Sequence, residues 1–292
     1  MSTSPVVIVG SHRSGTSITT QLLDRAGLFV GNDLEAHHES RSFIRINTWV
    51  MRECGGAWDQ PEPVRNALAE PKNRRAFARY ISEVLNSRYI ASYLGWWEWL
   101  RYGGPSAAPF SWGWKDPRST IVLPVWLEIF PEARIIHVKR HGVDVANSLH
   151  VRQADRRSEE ALRERTKCLK DDLTWFFGSP LQDHTRLPGS HRCSELETSF
   201  GLWEAYEATA ERFVTEADVP VKRIRYEELV EKPVPILREL ADFADVDLGH
   251  EQIEQVVQEV NEDRARAYRR DENLKEFAED LEDRLARFGY SA

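Results

Sequence analysis

The sequence predicts an α/β fold, a central parallel sheet flanked by helices and carrying helical insertions, on three observations. Short apolar, β-branched runs recur at Pro5–Gly10, Arg134–Lys139 ("RIIHVK") and Pro220–Tyr226 ("PVKRIRY"). Each is followed by apolar residues at helical spacing, the alternation of parallel strands joined by crossover helices. The first run also passes directly into a glycine-bounded turn and a helix, "VVIVGSHRSGTSITTQLL" from Val6.

In chain order, Pro5–Gly10 is the first strand and its helix starts near Gly15. Val30–Asn47 ("VGNDLEAHHESRSFIRIN") gathers charged and imidazole side chains before a second helix. Asn73–Leu94, Ser194–Val214 and Pro235–Val246 carry helical periodicity, and Phe110–Lys115 ("FSWGWK") reads as a fourth strand. Gly178–Cys193 mixes Gly, Pro, Ser and His and reads as a loop. The C-terminal "EDRARAYRRDENLKEFAEDLEDRLARFGY" reads as a charged, solvated helix that closes the fold. Without a repeat or low-complexity linker, residues 1–292 are expected to form a single domain with helical elaborations at roughly 60–105 and 150–215.

The 292 residues suffice for a large core, and a net charge of −8 argues against a general nucleic-acid binder. Cys54, Cys168 and Cys193 form no CxxC pair, so they read as free thiols in a reducing compartment rather than a disulfide or zinc framework. There is no signal-peptide pattern, and no run approaches the ~20 apolar residues of a membrane span. The expectation is a soluble, cytoplasmic protein.

Gly10-Ser11-His12-Arg13-Ser14-Gly15-Thr16-Ser17 has the G-x-x-x-x-G spacing of a phosphate loop, with Thr16 where an ATP-type loop has lysine. The backbone physics survives that change. Glycines let N–H groups converge on an anion, and the following helix adds its positive end. Ser14, Thr16 and Ser17 supply hydroxyls, and Arg13 a permanent charge with several donors. ATP-type loops share the terminal phosphate between that lysine and magnesium. A sulfuryl group carries less charge, so its transfer needs one well-placed cation and hydrogen bonds, without a metal. A plain strand–turn–helix corner is the alternative reading of the loop alone.

Arg140 closes the Arg134–Lys139 run, and Ser148 follows eight residues later in a helix. Ligands bind at the carboxyl ends of parallel strands, so Arg140 faces the same edge as the loop. This pair of motifs resembles the sulfotransferases that use 3′-phosphoadenosine 5′-phosphosulfate (PAPS), as found among bacterial members. "YEELVEKPVPILRELADFADV" from Tyr226 and the terminal "RFGY" extend the likeness over most of the chain.

The resemblance implies a P-loop-nucleotide-kinase-like fold that transfers a sulfonate from PAPS to a hydroxyl or amine, leaving adenosine 3′,5′-bisphosphate (PAP). It implies that Arg13, Ser14, Gly15, Thr16 and Ser17 hold the 5′-phosphosulfate and that Arg140 and Ser148 hold the 3′-phosphate. Lys115, in "WGWKDPRST", matches a second basic residue beside the transferring group. Arg118 either joins that pocket or makes a structural ion pair. The implied partner is a small-molecule, carbohydrate or peptide acceptor, with no nucleic acid. No metal is expected, and His37, His38 and Glu39 are too close in sequence to converge on one ion.

The acceptor must lose a proton. Cytosolic members use a histidine where this chain has Pro117, whereas other branches use a glutamate soon after the first helix. Glu39 is the expected base, with Glu35 and His38 as alternatives and Asp116 a distant one. His12 is expected to act as a spacer, His137 to be buried, and His141 to be a potential ligand-facing residue. Trp96, Trp97, Trp99, Trp112 and Trp114 are either core or an acceptor-stacking pocket, with Trp112 and Trp114 on one strand face. Ile18 replaces a tryptophan of the family's adenine site, and one arginine of Arg264–Arg270 is expected to reinforce the 3′-phosphate. A kinase with an atypical loop and a non-catalytic nucleotide-binding protein are the rival readings.

Overall fold

The computed structural model of the chain describes residues 3–157, 190–247, 250–257 and 264–292. All four anticipated strands form: β1 (Val6–Val9), β2 (Gly113–Lys115), β3 (Arg134–Lys139) and β4 (Val221–Arg225). They pair in parallel in the order β2-β1-β3-β4, with Val7 opposite Trp114 and Ile135, and His137 opposite Arg223. Alternation sends Val6 and Ile8 into one core and Val7 and Val9 into another, and both faces are covered. A sheet buried on both sides requires unbroken apolar strands, which is why "VVIV" carries no polar residue.

Helix α1 (Thr16–Ala26) and the Pro233–Ala244 helix cover the Val6/Ile8 face, contributing Leu22, Leu23, Leu237 and Leu240. On the chain's way to β2 come α2 (Arg41–Glu53), α3 (Pro61–Ala69), α4 (Pro71–Leu85), α5 (Ala91–Leu94) and α6 (Trp96–Tyr102). Helix α7 (Ser119–Ile129) joins β2 to β3, and α8 (Gly142–Arg157) follows β3. Together with the Leu196–Glu216 helix, α2, α7 and α8 bury their apolar stripes against the Val7/Val9 face.

Two expected helices are interrupted. The Asn73–Leu94 stretch stops at Leu85, and Ser87 accepts a hydrogen bond from the Tyr89 N–H to start a 3₁₀ turn, Arg88–Ile90. Asn and Ser offer the backbone local partners that compete with the helix ladder. The C-terminal segment becomes a turn, Ala267–Arg270, and two short helices, Glu272–Asp280 and Glu282–Ala286. Asp271 forces that break, because its carboxylate caps the N–H groups of Asn273 and Leu274. Most of the expected Gly178–Cys193 loop, part of the 150–215 elaboration and Cys168 lie outside the described residues.

The tryptophans divide. Trp112 and Trp114 are fully buried on the same strand face, 5.9 Å apart, and Trp114 stacks on Phe43 at 4.2 Å. They are core, which removes them from an acceptor pocket. Trp99 is half-buried, while Trp96 and Trp97 stand exposed. His137 is buried as expected, with Nε2 3.4 Å from the equally buried Glu207 carboxylate. Among the described residues, no helix is long and apolar enough to cross a membrane.

Gly15 illustrates how the loop is held. Its φ of 97° is left-handed, and a Cβ there would sit 2.3 Å from the Tyr226 ring. Gly55 shares the left-handed backbone (φ 72°) but has open space around it. Gly55→Ala is expected to cost about 1 kcal/mol, the backbone term alone. Gly15→Ala should cost roughly 2–4 kcal/mol, because the clash is added. Denaturant unfolding of the two variants measures the difference, and equal losses would exclude the Tyr226 contact as the cause.

Candidate active site

Because all four strands run the same way, their carboxyl ends share one edge. β1 gives way there to the Gly10–Gly15 loop, β2 ends at Lys115, β3 leads into Arg140 and β4 into Tyr226. The chain leaves β1 toward β2 on one side and β3 toward β4 on the other. The crevice between β1 and β3 is therefore the switch point where open α/β sheets take ligands.

Thr120 fastens the loop's base. Its hydroxyl accepts from the Gly10 N–H (2.9 Å) and donates to the Gly10 carbonyl (3.0 Å). The Ser14 N–H closes the turn on the Ser11 carbonyl at 3.2 Å. Arg13 adopts φ 70°, a conformation rare for a side-chain-bearing residue. Among the described residues, the buried Ser11 and Ser14 hydroxyls have no hydrogen-bond partner.

Lys115 organises the first cluster. Its ammonium is buried and donates to Ser17 Oγ (3.2 Å), Glu39 Oε1 (3.1 Å) and the His37 carbonyl. Burial lowers the Lys115 pKa, while Glu39 opposes that shift. Glu39 reaches the lysine because residues 34–40 fold into a closed turn: the Glu35 N–H bonds the Glu39 carbonyl, and Leu34 bridges Ser40. Asp33 pins the turn by accepting from the Ser40 hydroxyl (2.7 Å) and the Ser42 N–H (2.8 Å). It thereby caps α2, and Glu39 is left to the lysine.

The remaining carboxylates are otherwise engaged. Glu35 lies 3.9 Å from Arg41 on the surface. Asp116 is buried and accepts from Asn47 (2.8 Å) and from the Arg118 N–H (3.1 Å) and guanidinium (3.0 Å). Trp126 in turn donates to Asn47 at 2.9 Å. Burial opposes the Arg118 charge, but Asp116 and then Glu39, 3.8 Å away, raise its pKa on balance. Arg118 thus makes the structural ion pair with Asp116 and also stands near Glu39. His38 turns to Gln21 (3.2 Å), away from the lysine's ligands.

The second cluster surrounds Arg140. Arg13 Nε donates to Ser148 Oγ at 2.8 Å, and Arg140 donates to the carbonyls of Arg13 (3.2 Å) and Arg264 (2.7 Å). The Arg140 guanidinium lies over the Tyr226 ring at 4.5 Å, and Asp144 stands 3.5 Å away. Burial, then the charges of Arg140 and Arg264, lower the Arg13 pKa. Guanidinium groups crowded this way favour an anion among them. Arg13, Arg140, Ser148 and Arg152, with the carboxylates of Asp144 and Asp155, line an open cavity of about 340 Å³.

His12 is more than a spacer. Its ring is buried against the edges of Trp58 (4.9 Å) and Tyr206 (5.7 Å). Burial and then the charge of Arg118 hold its pKa well below the ordinary value. His141 lies outside the loop's reach: it stacks on Tyr268 at 4.1 Å, and its Nε2 meets the Ser291 carbonyl. Sequence reasoning passed over Thr120, Asp33, Asn47 and Tyr226. Only Tyr226 carried a signal, since it follows a strand end as Arg140 does. Among the described residues, no cluster of His, Cys, Asp and Glu is placed to hold a metal ion.

A family model described as "Sulfotransferase family" matches residues 5–250. Among solved structures, the chain resembles the sulfotransferase domain from the curacin biosynthetic pathway at 18% identity and a TM-score of 0.51, over 96% of this chain and 97% of that one. A sulfotransferase from Mycobacterium tuberculosis H37Rv matches at 13% identity and TM-score 0.46, over 89% and 72% of the two chains. The sulfotransferase domain of the Synechococcus PCC 7002 olefin synthase matches at 16% and 0.41, over 89% and 82%. The first likeness shows the same fold. A search of curated proteins gave no match.

The Lys115–Glu39 pair has a measurable pH signature. A lysine whose folded pKa is lowered binds fewer protons folded than unfolded, so stability rises with pH between that value and about 10.4. Glu39→Gln removes the opposing charge and lowers the folded pKa further. The variant should therefore be less stable than the parent near neutrality, and the deficit should shrink toward pH 10. Unfolding free energies at several pH values measure it; a pH-independent difference would mean that Glu39 does not sustain the lysine's charge.

Proposed function

The chain belongs to the sulfotransferase family, and on that premise we propose that it transfers a sulfonate from PAPS to a hydroxyl or amine of an acceptor, by in-line attack with Glu39 as base. The observation that carries this reading is the meeting of two cation clusters on one five-residue stretch, Arg13–Ser17. Ser17 bonds Lys115, and Arg13 bonds Ser148 beside Arg140. PAPS carries two anionic groups, the 5′-phosphosulfate and the 3′-phosphate, and the clusters suit one each. The orphan hydroxyls of Ser11 and Ser14 suit the phosphosulfate further.

In the proposed step, the acceptor oxygen or nitrogen forms a bond to sulfur as the sulfur–oxygen bond to the 5′-phosphate breaks. The acceptor proton passes to Glu39, and PAP departs with the electron pair of the broken bond. Lys115 and Arg13 stabilise the negative charge that grows on the bridging oxygen, assisted by the loop amides and by the hydroxyls of Thr16 and Ser17. Arg140, Ser148 and a guanidinium of the Arg264–Arg270 segment hold the 3′-phosphate. Glu39 suits the base because Asp116 already accepts several hydrogen bonds, whereas Glu39 Oε2 has a cation only at 3.8 Å. The single-domain organisation and a metal-free step belong to the same proposal.

Arg140→Ala should weaken PAP binding on the order of 10- to 100-fold, the worth of a charged hydrogen bond; unchanged affinity in calorimetry removes Arg140 from the site. Glu39→Gln should retain PAPS binding while kcat falls by roughly 10²- to 10⁴-fold. Turnover that survives places the base elsewhere. In thermal shift, PAP should stabilise the protein more than ATP with magnesium. The reverse order would favour a kinase, and binding without transfer of labelled sulfonate to any acceptor in a broad screen would favour a non-catalytic binding protein.

A further inference from the structure

We propose that the outward face of α6, formed by Trp96, Trp97 and Leu100, docks the protein onto a phospholipid bilayer surface. These side chains are 61%, 81% and 66% exposed, whereas the other tryptophans of the sequence cluster are half-buried or fully buried. At 100° per residue, positions 96, 97 and 100 share one side of the helix. Trp99 lies about 60° round from Trp96 on the inward flank, where it is half-buried against the core and meets Trp96 edge-on at 5.8 Å. The helix is thus already anchored inward, and its apolar side is not needed for folding.

Area and charge identify the occupant. From about 150–250 Å² per large aromatic side chain, the face offers on the order of 450 Å² of apolar surface. That is well below the ~800 Å² per partner of a standard protein interface, so a second copy of this chain would gain too little from it. It falls within the ~300–600 Å² of the largest apolar patch on an ordinary monomer, a size at which such patches are often functional. Tryptophan favours the headgroup layer of a bilayer, with its ring among the acyl carbons and its N–H in the wet zone. Arg101 is exposed one turn beyond Trp97, placed for lipid phosphates. Glu98 folds back instead, its Oε2 2.6 Å from where a Cβ on Gly95 would stand, at the helix's amino end. With a net charge of −8 the molecule as a whole is repelled by anionic membranes. Apolar insertion, rather than long-range attraction, must carry the docking.

Co-sedimentation with phosphatidylcholine vesicles, with and without phosphatidylglycerol, tests the proposal without reference to sulfonate transfer. The protein should pellet with both compositions and its tryptophan emission should shift to the blue. Trp97→Ser combined with Leu100→Ser should lower partitioning at least tenfold, at unchanged melting temperature because neither side chain is in the core. Trp97→Ser alone should lie between. Retention of the parent in the supernatant with both vesicles would overturn the proposal, as would undiminished binding of the double variant. Concentration-dependent self-association in sedimentation velocity, abolished by the same substitutions, would assign the face to a second copy instead.

Discussion

Burying the ammonium of Lys115 is the constraint around which the site is arranged. Isolated, a charge at that depth would cost several kcal/mol or lose its proton. The chain meets the demand with three oxygens from separate stretches: the Ser17 hydroxyl of α1, the His37 carbonyl and the Glu39 carboxylate. Bringing residue 39 to residue 115 requires the tight Leu34–Ser40 turn, and that turn in turn requires Asp33 as its internal anchor. A lysine that seldom meets water is also the cation best able to act on a nearby oxyanion, because its field is little screened.

The sheet extends this local arrangement along one edge. Neighbouring parallel strands stand ~4.8 Å apart, so the ends of β2, β1 and β3 set Lys115, the glycine loop and Arg140 side by side along one edge. No helix needs to bend to bring them together. Thr120, on the helix after β2, bonds both backbone groups of Gly10, which ties the loop to the strand that carries the lysine. Tyr226, at the end of β4, closes the other flank by lying against Gly15 and under Arg140. The loop is thereby clamped from two strands it does not belong to.

Local pattern carried much of this, and long-range chemistry carried the rest. Arg134–Lys139 was legible as a strand to the residue, because its β-branched Ile135, Ile136 and Val138 are buried while the charged Arg134 and Lys139 sit half-buried at its two ends. Arg13, Ser17, Arg140 and Ser148 were legible because a turn and a strand end fix their spacing within a few residues. Thr120 and Asn47 were not, since their partners lie on separate elements, 110 and 69 positions away, and such bonds leave no local period. Asp33 bonds Ser40 only seven residues on, but in an irregular turn that has no helical or strand period either. The tryptophans show the same limit. Helical and strand periodicity told which of them share a face, but only packing told that Trp114 lies on Phe43 while Trp97 meets solvent.

Arg13 shows why the loop holds an arginine where a glycine would be easier to fold. Its left-handed backbone costs on the order of 1 kcal/mol for any residue with a Cβ, and glycine would avoid that cost. The conformation has a directional effect, however. It coincides with a guanidinium aimed at Ser148 and the end of β3, while Ser17, four residues on, points its hydroxyl to Lys115. A right-handed residue at 13 would redirect the turn. Because the strain falls on the residue that also suffers the repulsion of Arg140 and Arg264, an anion placed among the three would relieve the electrostatic part and leave the backbone part unchanged. Backbone strain and cation repulsion thus fall on the same residue, and only the repulsion is open to relief by an anion.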